Sequence, residues 1–172
     1  MSIKVGFSRH KGFAPLSWLI MLVENTKFSH TYIKIYSDSL NRSLIYQANN
    51  AGVWFIGEPA FLNKNIEVET YTFELSNLQK TKLLQFCVDN SGKTYGKLQL
   101  IGMAIVRFVK FLFNKKINNP FSNGTNQYVC SELVLKTLEE INYLHNENQD
   151  TIGISDLAII VKSLNKGIQN EI

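Results

Sequence analysis

Apolar and polar residues alternate along much of the first half of the chain and recur at three- and four-residue spacing along the second. "IKVGF" (3–7) reads as a strand. "PLSWLIMLVEN" (15–25) reads as a short helix, with Pro15 suited to a first turn in which no amide donor is needed. "HTYIKIY" (30–36) sets Tyr32, Lys34 and Tyr36 on one face and Thr31, Ile33 and Ile35 on the other, the period of a strand. "SLIYQA" (43–48) and "GVWFIG" (52–57) are short strands joined by the turn-forming "NNAG", and "IEVETYTFEL" (66–75) is one more.

Helical spacing then takes over. Ser76 followed by Gln79 forms a capping-box signature before "TKLLQFCVDNS", where Leu84, Cys87 and Val88 are expected to share the inner face. An apolar helix is expected over 98–113, with Arg107 and Lys110 along it and Lys115 and Lys116 beyond. "VCSELVLKTLEEINYL" (129–144) aligns Val134, Leu138 and Ile141. "SDLAIIVKSL" (155–164) follows a Ser155 cap with Leu157, Ile160, Val161 and Leu164 at i, i+3, i+4 and i+7. The expected class is α+β: a small antiparallel sheet packed with helices, in a single domain spanning 1–172.

Composition narrows the function. The chain has 172 residues, 45% hydrophobic and 19% charged, enough to bury a core. The net charge of +4 is scattered, and no nucleic-acid motif stands out. Two cysteines and three histidines show no metal-binding spacing, so neither metal nor other cofactor is implied. The start "MSIKVGF" lacks a signal-peptide pattern, and 98–113 has too few uninterrupted apolar residues for a span. A cytoplasmic setting is the default expectation, and the Asn- and Lys-rich composition would suit a phage or an AT-rich bacterium.

The chemistry concentrates in "YVCSELV" (128–134), which puts Cys130 in the first turn of a helix. Free amides and the helix dipole favour a thiolate there, although many such thiols are inert. Cys87, inside an apolar stripe, reads as a core residue. A nucleophilic Cys130 needs a histidine beside it in space. His145 lies just past the helix, His10 sits in the basic polar loop "SRHKGF", and His30 opens the 30–36 strand, where sheet geometry would fix its ring. If that strand pairs with 43–48, Gln47 is placed to accept the second ring N–H, and it reads as facing away from Ile45.

Four stretches, "FSHTYIKIY", "IYQANNAGV", "GKTYGKLQL" and "YVCSELV", resemble the permuted branch of the NlpC-type papain-like cysteine hydrolases, especially its YiiX-like members. The likeness runs from "VGFSR" to "ISDLAIIV". It implies a permuted papain-like fold, with Cys130 as nucleophile, His30 as base and Gln47 as the orienting polar residue. The chain departs from the pattern at Gln47, where those members carry a glutamate. The resemblance implies a cysteine peptidase or amidase acting through a thioacyl-enzyme, on cell-wall peptides or acyl lipids. Two alternatives stand beside it. One is a lipid-directed acyltransferase or thioesterase, with 98–116 walling the cleft and making peripheral membrane contact. The other is a non-catalytic binding protein on the same fold.

Overall fold

A computed structural model describes residues 2–97, 99, 102, 106, 127–144 and 152–169. Its frame is a five-stranded sheet in the order β4-β3-β2-β1-β5, every neighbouring pair antiparallel. The strands are β1 (Ser2–His10), β2 (His30–Ser37), β3 (Arg42–Asn49), β4 (Gly52–Gly57) and β5 (Asn65–Glu74). Helix α1 (Pro15–Val23) lies between β1 and β2, and α2 (Glu58–Lys64) between β4 and β5. Then come α3 (Asn77–Asn90), two short parallel strands β6 (Thr94–Tyr95) and β7 (Gln127–Tyr128), α4 (Cys130–Glu140) and α5 (Ile154–Gln169). The α+β class expected from the periodicity is the class observed.

The alternation of β2 and β3 explains the layering, because successive side chains point to opposite faces. Ile33 and Ile35, with Tyr46 and Ala48, face the main core. There they join Leu83 and Cys87 of α3, Leu133, Val134 and Leu138 of α4, and Leu157 and Val161 of α5. Tyr32 and Ile45 face the other way and pack beneath Phe61 of α2, with ring centroids of Tyr32 and Phe61 4.6 Å apart. Strand β2 is thus covered on both sides at its start. Gly6 of β1 makes this possible: a Cβ there would lie 2.2 Å from Cζ of Tyr32.

Several local expectations change. In α3 the inner face is Leu83, Cys87 and Asn90, at i, i+4 and i+7, while Leu84 and Val88 are exposed. The Ser76–Gln79 capping box forms as expected. Ser155 does not cap α5, which begins one residue earlier; its hydroxyl bonds the Glu24 carboxylate 2.6 Å away. Helix α4 ends at Glu140, short of the expected Leu144, where Asn142 takes a left-handed φ of 59°. His10 belongs to the end of β1 and not to a loop, paired with Asn65. Seven-residue α2 and two-residue β6 and β7 are too short to register as periodic patterns.

In the 98–116 segment, Gln99, Gly102 and Val106 are helical, following Lys97. Gln99 donates a buried 3.0 Å hydrogen bond to Glu132 in the first turn of α4. Arg107, Lys110, Lys115, Lys116 and His145 lie outside the described residues. No described helix is long and apolar enough to cross a membrane.

The Gly6–Tyr32 contact generates a test. Gly6→Ala forces a Cβ into the Tyr32 ring, and such overpacking in a filled core costs about 1–3 kcal/mol. Urea denaturation is expected to show a lower midpoint at unchanged slope.

Candidate active site

The start of β2 and the end of β3 place the first two residues. The β2–β3 register pairs Ile33 with Tyr46; continued by one step it sets Tyr32 opposite Gln47 and makes His30 the diagonal neighbour of Gln47. The His30 Nε2 to Gln47 Oε1 distance is 2.8 Å. An amide oxygen only accepts, so Nε2 carries the proton and Nδ1 keeps its lone pair. Gln47 is 4% exposed and shares its face with Ile45, contrary to the opposite-face expectation: residues two apart on a strand point the same way. The His30 ring is flanked by Tyr32 and Phe61, with centroids 6.4 and 6.2 Å away.

Cys130 begins α4 and is buried, 6% exposed. Its N-cap, Val129, has no side chain able to accept from the first-turn amides. The backbone amides of Thr31, Ser131 and Cys130 itself lie beside the sulfur and favour its thiolate. Thr31 adjoins His30 in sequence, so β2 brings a residue 99 positions away to the start of α4. The ring holds Gln47, and the amides near the sulfur favour its thiolate.

Burial dominates the electrostatics of both groups. It pushes the Cys130 thiol up to about 11, outweighing the three amides that favour the thiolate, and the Glu24 carboxylate adds to the rise. Burial likewise pulls His30 down to about 4, against the opposing effect of the hydrogen bond it donates to Gln47. The resting pair at neutral pH is therefore a thiol and an unprotonated imidazole. Cys87, fully buried in the core, is pushed further, to about 12.

A cleft of about 300 Å³ opens beside these groups, lined by Ser29, His30, Gln47, Trp54 and Tyr95 together with residues of α1. Cys130 is not one of the lining residues. His10, exposed, also borders the cleft. Tyr95 is the residue whose role the sequence pattern leaves unassigned, although it stands in "GKTYGK". The β6–β7 pairing sets it beside Tyr128, two residues before Cys130. Burial first, then the nearby Cys130 sulfur, raise its pKa, so its hydroxyl stays a donor. Gly96 follows it because a Cβ there would lie 2.7 Å from Gln99 Oε1. Among the described residues no group of three or more His, Cys, Asp or Glu side chains is arranged to hold a metal ion.

No protein-family model and no curated protein matches the sequence. The fold is similar to the crystal structure of the metalloprotein yiiX from Escherichia coli O157:H7. The identity is 16%, the TM-score 0.45, and the match covers 88% of this chain and 84% of that one.

The depressed His30 gives a pH test with a definite sign. Its folded value of about 4 lies below the ordinary 6.5, so between those values the unfolded chain binds a proton that the folded chain refuses. Stability is then lost as pH falls from about 6.5 and levels off near 4. His30→Asn is expected to show a shallower fall over that window in urea titrations at successive pH values. Parallel curves would refute the neutral imidazole.

Proposed function

We propose that the chain is a cysteine hydrolase of the permuted papain-like kind, acting on an amide or ester carbonyl through a thioacyl-enzyme. The observation that carries this reading is the Gln47–His30 hydrogen bond, which leaves Nδ1 unprotonated at the residue next to the one whose amide faces the Cys130 sulfur. Catalytic hydrogen bonds are often loose before substrate binds. The Sγ–Nδ1 contact closes when a substrate carbonyl enters the cleft.

The chemistry then follows from the neutral resting pair. His30 Nδ1 takes the thiol proton as Sγ forms a bond to the carbonyl carbon, and the carbonyl oxygen becomes an oxyanion. Amide donors at the start of α4, with the Tyr95 hydroxyl near by, are suited to that charge. The tetrahedral intermediate collapses, the bond to the amine or alcohol breaks, and imidazolium returns the proton to the leaving group. Water, deprotonated by the same Nδ1, cleaves the thioester and regenerates the thiol. Neutral Gln47 orients the ring but stabilises imidazolium less than a carboxylate would, so proton transfer accompanies attack and does not precede it.

Incubation with an activated ester and intact-mass analysis tests the reading. A hydroxylamine-labile acyl adduct is expected on Cys130 and absent from Cys130→Ala. Loss of the base in His30→Ala is expected to slow acylation about 100- to 10,000-fold. Adduct formation on Cys87, or acylation indifferent to His30, would refute it.

Gln47 has its own test. Gln47→Ala frees the ring and is expected to slow acylation less than His30→Ala does. Gln47→Glu is expected to keep activity and to raise the pKa of His30, so that the pH profile of Cys130 alkylation moves. Coincident profiles for wild type and both variants would remove Gln47 from the mechanism.

A further inference from the structure

Helix α1 is almost wholly apolar, yet none of its residues is buried. Ser17 is its one polar side chain. Ser17, Ile20 and Met21, half-buried, turn toward the body, where the Ser17 hydroxyl bonds that of Ser29. Leu16, Trp18, Leu19 and Leu22 point outward and are 43%, 57%, 47% and 63% exposed, and Phe13 just before them is 86% exposed. At 100° per residue these four helical positions form one continuous arc. A helix apolar on every side belongs in a core or in lipid, and so large an exposed apolar cluster marks an interaction surface.

The surrounding charge selects the partner. Arg9, Lys11 and Lys27 flank the helix in sequence and are exposed. Arg9 and Lys27 line a groove together with Trp18 and Leu22. The carboxylates near by are engaged elsewhere. Glu24 accepts from Ser155, and Glu67, in the same groove, accepts from the Tyr32 hydroxyl and pairs with Lys34 at 3.8 Å. A tryptophan and leucines rimmed by arginine and lysine suit an anionic bilayer surface.

We propose that α1 is an interfacial helix that seats the protein on anionic membranes. Phe13, Leu16, Trp18, Leu19 and Leu22 enter the acyl boundary, and Arg9, Lys11 and Lys27 meet the headgroups. Leu16, Ser17 and Ile20 also line the cleft of His30 and Gln47, so docking brings the cleft mouth to the lipid surface. The consequence, which rests on the hydrolase reading, is that the carbonyl offered to Cys130 belongs to a lipid. The docking itself does not depend on catalysis.

The test uses the full chain as Cys130→Ala with vesicles of phosphatidylcholine, alone or with phosphatidylserine. Flotation is expected with the anionic vesicles and to weaken with added salt. In a Trp54→Phe background, Trp18 fluorescence should shift to the blue on binding. Trp18→Ser with Leu22→Ser is expected to lower partitioning at least about tenfold, and Arg9→Gln and Lys27→Gln about fivefold each. Far-UV circular dichroism identical to the parent shows that these exposed changes leave the fold intact. Absence of flotation, or flotation indifferent to Trp18 and Leu22, overturns the proposal. So does a concentration-dependent dimer abolished by the same pair without vesicle binding, which would make a second copy the occupant. Docking with no acyl adduct in the chain that keeps Cys130 would refute the hydrolase reading alone; an adduct without docking would refute the docking alone.

Discussion

A helix that begins inside the protein must find acceptors for its first amides. In α4 that requirement is acute, because Cys130, Ser131 and Glu132 are all buried and Val129 offers no cap. The cysteine thiol sits among those donors, and the amides of Thr31, Ser131 and Cys130 favour its thiolate. Everything near it serves to keep this end in place. The Ser131 hydroxyl donates to the Ile152 carbonyl at 3.0 Å, Gln99 holds Glu132, and the β6–β7 pairing fixes the approach of the chain to Val129. The thiol is placed as part of the solution to a backbone hydrogen-bonding problem, and β2 contributes the amide of Thr31 to the same solution.

That arrangement has an electrostatic character of its own. Amides and a helix terminus lower the energy of a thiolate, but exclusion of water raises it by more. The imidazole, half-buried at the cleft, has only a neutral amide as partner and its pKa is lowered, so neither group holds charge at rest. Such a pair is quiet toward adventitious electrophiles and toward oxidation, since both need the thiolate. Charge separation would arise only while a substrate oxygen is present to share the donors.

The sheet is legible in the sequence because 30–36 alternates and 43–48 is a short β-rich run beside turn residues, and both strands bury side chains on one shared core face. From that pairing comes the meeting of His30 and Gln47, although the pattern sets Gln47 on the wrong face relative to Ile45. The discrepancy in α3 has a different origin. Leu83 and Leu84 are adjacent and equally apolar, and only the direction of approach of α4 decides that Leu83 turns inward. Ser155 resembles a cap because its neighbours supply helical spacing, whereas its partner, Glu24, lies 131 residues away. Periodicity identifies α1 as a helix, but it reports apolarity and not what covers the element. The burial of Cys130 is likewise beyond the pattern, since it depends on neighbours distant in sequence such as Thr31 of β2.

Gly6 and Tyr32 meet across β1 and β2 with no room for even a methyl group between them. The tyrosine ring in turn packs on Phe61 and lies beside the imidazole of His30. Inheritance at these positions is therefore joint. A lineage that acquires a side chain at position 6 must shrink residue 32 in the same step or pass through a poorly folded intermediate. Shrinking residue 32 strips one aromatic wall from the histidine. Relatives that keep a histidine at 30 should accordingly carry glycine at 6 and an aromatic at 32 as a pair, and those that have lost the glycine should be the ones in which the histidine is free to drift.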